Sequence, residues 1–171
     1  LAQDEDVLDT CIDSLIRIGG IKVELNTKIN SGDLRGRGFK AFFIATGTPY
    51  PRFLTFGTEK VEWQDLEGVM YGLILLDEVS KGLVPPDHFK GKKVVVVGGG
   101  NVAFDAARTA FRLGGEVTVV CLENAEKGTR DGIPADKEEI EGALQEGITI
   151  IYSRGVQKIV GEDGKFKKIV C

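Results

Sequence analysis

The second half of the chain alternates apolar strand patterns with amphipathic helical patterns. An apolar run with four consecutive valines at 93–97 predicts a buried parallel strand. Apolar residues recur at helical spacing over 101–113, and a second strand is predicted at 116–120. A helix with Pro134 in its first turn and a strand at 148–152 repeat this order. We therefore predict an α/β fold with a parallel sheet of at least three strands, with 94–97 at its centre and 116–120 beside it.

The first third of the chain has a helical pattern followed by short apolar runs. Residues 6–18 have the spacing of an amphipathic helix, and 21–25 are predicted to form a short strand. A polar loop is predicted at 26–38, and the apolar run 39–45 is typical of a buried parallel strand that enters a tight turn. Because the natural sheet partners of these strands would lie outside this chain, we expect the residues before about 46 to form a separate, incomplete layer or to pack loosely.

Three further segments complete the organisation of the chain. Residues 49–68 are rich in proline, glycine and charge, which predicts a linker, and 69–79 are predicted to form a helix. The apolar runs 156–160 and 166–170 flank a Glu-Asp-Gly turn, which is typical of a β-hairpin.

Charge and hydropathy exclude two classes of partner. The chain has 22 Lys and Arg against 26 Asp and Glu, and its formal charge of -4 provides no field that would concentrate nucleic acid or anionic lipid. Its apolar runs are far shorter than the roughly 20 residues that span a bilayer. We therefore expect neither nucleic-acid binding nor membrane insertion.

The cysteines and the single histidine argue against metal, disulfide or nucleophilic chemistry. Cys11, Cys121 and Cys171 are widely spaced and form no metal-ligand pattern, which favours a reducing, cytoplasmic compartment. His88 lies in a Pro-Pro-Asp-His segment and is interpreted as a solvated loop residue. The chain begins at Leu1 without a signal-peptide pattern, and we expect it to be a fragment of a larger protein.

A glycine turn directly follows the valine-rich strand. The pattern Gly98-x-Gly100-x-x-Ala103 is weak alone, but here it lies between a strand and a helix, with a second strand at the expected distance. Gly98 permits the tight turn, Gly100 lets a pyrophosphate approach, and Ala103 allows close packing of helix and sheet. The start of the helix supplies unpaired N–H groups for the phosphates. This context predicts a Rossmann-type nicotinamide-dinucleotide site that includes Gly98, Gly99, Gly100, Asn101, Val102 and Ala103.

Selection between NAD(H) and NADP(H) normally takes place at the end of the second strand. Glu123 offers a carboxylate for the 2′-hydroxyl of the adenosine ribose, although it lies two or three residues later than usual. A solvated loop glutamate is the alternative interpretation. Lys127 and Arg130 follow on the same loop and could instead reach a 2′-phosphate.

An ordered set of motifs resembles the small (beta) subunit of glutamate synthase and its relatives, among them the flavin and NADPH module of dihydropyrimidine dehydrogenase and many anaerobic iron-sulfur flavoproteins. The motifs are Ala45-Thr46-Gly47, the run 91–103 through the glycine turn, 105–110, Leu113-Gly114, Ile133-Pro134-Ala135 and Glu138-Glu139. The resemblance extends over essentially all of the chain but covers only the middle of such a subunit.

The resemblance implies a nicotinamide domain inserted into a discontinuous FAD-binding domain. Residues 1–57 would then be a partial FAD-domain segment, 58–155 the NAD(P)-binding Rossmann domain, and 156–171 a β-hairpin leading back towards the FAD domain. Thr46 and Gly47 would contact FAD. The FAD glycine turn and the cluster-binding cysteines would precede Leu1, and the closing flavin segment would follow Cys171.

The resemblance also implies an NAD(P)H-dependent flavoprotein oxidoreductase that passes a hydride to FAD and electrons on to iron-sulfur clusters or a partner subunit. Its partners would be the rest of the FAD domain and an iron-sulfur or larger catalytic subunit, and the fragment alone should not turn over. Leu122 and Glu123 stand where relatives place two arginines, so we predict that NAD(H) binds at least as well as NADP(H). Asn101 matches the family motif beside the dinucleotide, whereas Asp105 and Arg108 are equally compatible with structural roles.

Two other functions are compatible with a glycine turn. One is a module that senses the dinucleotide without catalysis, which only the flanking sequence would distinguish from a reductase. The other is a methyltransferase, which has no place for Ala45-Thr46-Gly47 on its own apolar strand ahead of the turn.

Overall fold

A computed structural model describes residues 2–48, 50–51 and 65–171. The chain divides into two compact units, Leu1–Thr46 and Gly47–Cys171. The described helices are α1 (Ala2–Gly19), α2 (Ser31–Gly36), α3 (Gly72–Ser80), α4 (Asn101–Arg112) and α5 (Lys137–Gln145). The described strands are β1 (Lys93–Val97), β2 (Glu116–Val120), β3 (Thr149–Ile151), β4 (Lys158–Glu162) and β5 (Lys165–Val170). None of the described helices is long and apolar enough to cross a membrane.

The sheet of the second unit is parallel and has the order β1-β2-β3. Lys93 pairs with Glu116 and Val97 with Val120, which aligns the carboxyl ends of β1 and β2. The α/β fold and the pairing of these strands are confirmed, but among the described strands β1 lies at the edge of the sheet, so the prediction that 94–97 is central is wrong. Each crossover helix carries the chain one step further from β1 in the same direction, so β2 has neighbours on both sides.

Small side chains let α4 approach the sheet and α3. Ala106 and Ala110 of α4 are buried, and the side chain of Phe104 is fully buried. A Cβ on Gly72, the first residue of α3, would lie only 3.2 Å from the Cβ of Ala106, so glycine permits this close approach. The core cluster consists of Phe104, Ala107, Ala110, Val117, Val119, Cys121, Ile133, Ala135, Ala143 and Ile148.

The predicted hairpin is confirmed. Asp163 and Gly164 have φ values of 52° and 73°. Positive φ at both central residues is typical of the type I′ turn, whose twist matches that of the flanking strands. The chain segment before α3 pairs with this hairpin, because the N–H of Glu67 donates to the Gly164 carbonyl at 2.9 Å and the N–H of Phe166 donates to the Glu67 carbonyl at 2.9 Å.

The first unit confirms the predicted helix but not the strands. The helix predicted at 6–18 is part of α1, whereas 21–25 and 39–45 form no strand, because no described segment of this unit pairs with them. The predicted loop 26–38 contains the short helix α2. Asn30 caps it by accepting hydrogen bonds from the N–H groups of Gly32 and Asp33 at 2.9 and 3.0 Å.

Pro134 does not lie in the first turn of a helix, because α5 begins three residues later, at Lys137. The N–H of Ala135 donates to the Gly99 carbonyl at 3.1 Å, and Ile133 and Ala135 are buried. This extended segment is therefore fixed against the glycine turn, and the helix begins only after it. Of the predicted linker 49–68, residue 49 and residues 52–64 lie outside the described residues.

Candidate functional site

Gly98 connects the end of β1 to the turn before α4. Its backbone φ of 134° is a value that residues other than glycine rarely adopt. Its N–H donates to the Val120 carbonyl at 2.9 Å, and a Cβ at this position would lie 3.4 Å from the Cβ of Ala103. The turn therefore brings the backbone of β1 against the first turn of α4, as the sequence pattern predicts.

The start of α4 lies open beside Gly100. Gly100 is the N-cap residue and provides no side-chain cap, and no heavy atom lies within 4 Å of the position that its Cβ would occupy. Among the described residues, no group accepts a hydrogen bond from the N–H of Asn101 or of Val102. Uncapped N–H groups at the positive end of a helix form an anion site, and the missing side chain leaves room for a diphosphate. These residues therefore fit the dinucleotide that the sequence predicts.

Glu123 lies against the glycine turn although it is late in the sequence. Its Oε2 would be 2.6 Å from a Cβ on Gly99, so a side chain at this position would require the carboxylate to shift. The Glu123 carbonyl accepts a hydrogen bond from the N–H of Ser153 at 2.9 Å, which fixes the backbone at this point. Oε2 is buried and has no hydrogen-bond partner among the described residues.

Ala135 and Asp136, named here the strap, are hydrogen-bonded to the residues of the glycine turn. The Asn101 Nδ2 donates to the Asp136 Oδ2 at 2.8 Å, and the Asp136 N–H donates to the Asn101 Oδ1 at 2.7 Å. Lys127 donates from its Nζ to the Ala135 carbonyl at 2.9 Å, and its Nζ lies 3.5 Å from the Asp136 Oδ1. The hydrogen bond from Asn101 and the nearby Lys127 lower the pKa of Asp136 below its ordinary value. The periodicity of apolar residues does not predict these contacts, because Asn101 and Asp136 are 35 positions apart in the sequence.

The remaining predicted site residues lie at different places. Arg130 is exposed and has no recorded ion pair within the described part of the chain. Val102 is exposed on the first turn of α4. Thr46 ends the first unit and Gly47, with a φ of 68°, begins the second, as expected for a tight turn at this point.

Arg108 has a structural role that connects α4 to α5. Its guanidinium donates to Glu139 at 2.8 Å and to Glu146 at 3.0 Å, and Arg112 donates to Glu146 at 2.7 Å. Asp105 lies on the same helix, where desolvation of its carboxyl group and the nearby charge of Glu139 raise its pKa above the ordinary value. These charges join two helices and do not lie in the glycine turn.

Cys121 and His88 lie in different surroundings. Burial raises the pKa of the Cys121 thiol, and the Glu123 charge adds to this effect. His88 lies in a loop, half-buried, with its ring edge-on to Phe89 at a centroid distance of 4.6 Å. No group of three or more His, Cys, Asp or Glu residues in the described ranges is arranged to hold a metal ion.

Three relatives show how much of a longer protein this chain resembles. It is 31% identical to the NADP(+)-dependent formate dehydrogenase subunit beta of Moorella thermoacetica, over 91% of this chain and 21% of the relative. It is 36% identical to the glutamate synthase [NADPH] small chain of Halomonas elongata, over 65% and 25% respectively. It is 47% identical to the NADPH-Fe(3+) oxidoreductase subunit beta of Geobacter sulfurreducens, over 64% and 15%. The matched segment is thus a quarter or less of each of these relatives.

The sequence profile of the pyridine nucleotide-disulphide oxidoreductases matches residues 7–170, which is nearly the whole chain. Together with the parallel sheet and the glycine turn, this match supports the fold and the resemblance predicted from the motifs. The chain therefore belongs to the pyridine nucleotide-disulphide oxidoreductase family, whose members are NAD(P)H-dependent flavoprotein oxidoreductases.

Proposed function

We propose that this chain is the nicotinamide-dinucleotide-binding part of an FAD-dependent oxidoreductase that passes a hydride from NAD(P)H to FAD, and electrons on to iron-sulfur clusters or a partner subunit. The observation that carries the proposal is the uncapped start of α4, where Gly100 has open space at its Cβ position and the N–H groups of Asn101 and Val102 have no acceptor among the described residues. Membership of the flavoprotein family supports the redox part.

In this function the chain's residues bind and orient the dinucleotide. The N–H groups of Asn101 and Val102 hold the diphosphate, and Ala103 keeps α4 close to the sheet. The nicotinamide and flavin rings supply the hydride chemistry when they are bound. We therefore assign no acid, base or nucleophile among the described residues.

The proposal for cofactor preference rests on Glu123. Its carboxylate, which lies beside the glycine turn, accepts a hydrogen bond from the 2′-hydroxyl of the adenosine ribose, and its charge repels a 2′-phosphate. Lys127 is bound to the strap, which leaves Arg130 as the basic residue of this loop that is free to reach a 2′-phosphate. We therefore propose that NAD(H) binds at least as well as NADP(H), although the three relatives above carry NADP(H) in their names.

The larger protein is proposed from the relatives. Two of them are named as beta subunits and one as a small chain, which supports a partner subunit for this protein as well. We propose that Thr46 and Gly47 contact FAD, that the nicotinamide domain spans 58–155, and that 156–171 lead back to the FAD domain. A cytoplasmic location is supported by the three cysteines, all of which are free.

Calorimetric titration of NADH and NADPH at fixed salt tests both parts of the proposal. We expect NADH to bind at least as tightly as NADPH, and Glu123→Arg to shift the preference towards NADPH by about tenfold to a hundredfold, the value of a charge-assisted contact. Gly100→Val should abolish the binding of both cofactors by filling the phosphate space, while stability changes by no more than about 1–3 kcal/mol. Gly36→Val is the matched control, because Gly36 also has no atom near its Cβ position but lies in α2.

Each outcome has a definite consequence. If neither cofactor binds the folded wild-type chain, the dinucleotide site is wrong. If NADPH binds tenfold tighter than NADH, the site stands and the role of Glu123 is wrong. Unchanged binding in Gly100→Val would place the diphosphate somewhere other than the start of α4.

A further inference from the structure

Asp136 is the N-cap residue of α5, yet its side chain does not cap that helix. Asp is favoured at N-cap positions because its carboxylate accepts a hydrogen bond from the first-turn N–H groups. Here the backbone has the extended conformation of an N-cap, with φ −64° and ψ 148°, but no side-chain capping bond is formed. The Oδ2 accepts from the Asn101 Nδ2 at 2.8 Å instead, and the Oδ1 lies 3.5 Å from the Lys127 Nζ. The carboxylate is thus directed towards α4 and not along its own helix.

The contact between Asp136 and Asn101 is reciprocal. Besides the bond to the carboxylate, the Asn101 Oδ1 accepts from the Asp136 N–H at 2.7 Å. One residue therefore satisfies both the donor and the acceptor of the Asn101 amide, across 35 positions of sequence. Because Asn101 is the first residue of α4, this pair connects the first turn of α4 to the start of α5.

The strap holds the glycine turn on both sides of Gly100. Ala135 donates its N–H to the Gly99 carbonyl at 3.1 Å, and Asp136 binds the side chain of Asn101. Ala135 is fully buried, so this attachment is part of the core. Lys127 binds the Ala135 carbonyl and completes the arrangement. Two consecutive strap residues thus bind the two residues that flank the open position.

We infer that Asp136 is a positioning residue of the dinucleotide site. Through Asn101 it fixes the start of α4 in the conformation in which the N–H groups beside Gly100 face the phosphates, so the site is formed before the ligand arrives. A preformed site binds more tightly because less conformational freedom is lost on binding. This inference rests on the proposed function and adds to it a residue outside the glycine pattern.

Two substitutions of Asp136 distinguish its hydrogen bond with Asn101 from its position as the N-cap residue of α5. Asp136→Asn keeps an oxygen that can accept from Asn101 and loses only the charge. Asp136→Ser keeps a favoured N-cap residue for α5 but is too short to reach Asn101. Calorimetric titration of the whole chain with NADH should show binding weakened about tenfold in Asp136→Ser, and no more than about threefold in Asp136→Asn, since one hydrogen bond is worth about a factor of ten. Asp77→Ser, which removes an exposed ion pair with Lys81 on α3, is the control for lost charge.

The inference is overturned if Asp136→Ser binds NADH as the wild type does, or if Asp136→Asn loses as much affinity as Asp136→Ser. It is also overturned if the loss in Asp136→Ser follows from unfolding, which thermal melting by circular dichroism of the same samples reports. The wild-type titration separates this test from the proposed function. If the wild type does not bind NADH, the proposed function fails; if it binds and Asp136→Ser binds equally, only the role of Asp136 fails.

Discussion

Helices α1 and α4 have similar amphipathic patterns and opposite burial. In α1 the apolar side chains of Leu8 and Leu15 are 60% and 66% exposed. In α4 Phe104 and Ala107 are fully buried. The difference is the neighbourhood of each helix, because α4 packs against β1, β2 and α5, whereas the first unit contains no described strand. Periodicity therefore predicts which face of a helix can be buried, and the partner decides whether it is buried.

The two apolar runs 116–120 and 39–45, both of which have the composition of parallel strands, also differ in burial. Val119 in the run 116–120 is fully buried within β2, whereas Phe43 in the run 39–45 is 95% exposed in an irregular segment. Both runs have the composition of a buried strand. Only the first finds two neighbouring strands to complete its hydrogen bonds. The stability of the second unit should therefore depend on its apolar residues, and that of the first unit should not.

The largest expected effect compares two phenylalanines, one from each unit. Phe104→Ala should lower the free energy of unfolding of the second unit by about 3–5 kcal/mol, because it leaves a cavity in the core. Phe43→Ala should change the stability by less than about 0.5 kcal/mol, because its ring is already in water. Hydrogen exchange of the β2 amides measures the first effect residue by residue. Equal effects of the two substitutions would contradict the contrast between the units.

The sequence predicted the elements of the second unit well because their partners are close along the chain. The strands 93–97 and 116–120 have the predicted bounds, since a single helix connects them and their pairing needs no distant segment. The Asp-Gly turn of the hairpin is equally local. The glycine turn was recognised for the same reason, because Gly98, Gly100 and Ala103 lie within one short segment.

The parts of the site that could not be predicted depend on contacts between distant segments. Asp136 meets Asn101 across 35 positions, and nothing in either local pattern indicates that pair. Glu123 reaches Gly99 because its backbone is fixed by Ser153, which is far away in the sequence. Strand 39–45 was predicted from composition alone, and composition does not reveal whether a sheet is present for it to join.

A second, smaller effect compares two arginines that form ion pairs. Arg108 is partly buried between Glu139 and Glu146, and its removal leaves Glu139 without this ion pair and Glu146 with Arg112 alone. We expect Arg108→Met to lower the free energy of unfolding by about 1–3 kcal/mol, the cost of unsatisfied groups in a partly buried site. Arg37→Met is the matched control in the first unit, because its pair with Glu24 is more exposed and should give a smaller loss. Urea unfolding of both variants measures the difference, and equal losses would contradict it.

The smallest expected effect is a pH dependence that originates in Glu146. Burial alone would raise the pKa of Glu146, but the hydrogen bonds from Arg112 and Arg108 outweigh it and hold the pKa below its ordinary value of 4.5. A carboxyl group with a lowered folded-state pKa stabilises the fold above its unfolded pKa, and this contribution is lost as the pH falls through the folded-state value. The wild type should therefore lose stability below a pH of 4.5, and Glu146→Gln should lack that part of the loss.

Added salt should distinguish the ion pairs of Glu146 in the second unit from those of Glu24 in the first. Hydrogen bonds from Arg37 and Lys22 lower the pKa of Glu24 in the first unit to about 2, but this carboxylate is open to solvent. Mobile ions screen exposed pairs strongly and partly buried pairs weakly, so about 0.5 M salt should remove the effect of Glu24→Gln on the acid unfolding profile. The effect of Glu146→Gln should persist at the same salt concentration, because the side chain of Glu146 is only 22% exposed. Urea unfolding as a function of pH, at low and high salt, measures both variants. If salt removes the Glu146 contribution as completely as that of Glu24, the α4–α5 ion pairs are as solvated as those of the first unit, and the contrast drawn from burial does not extend to charge.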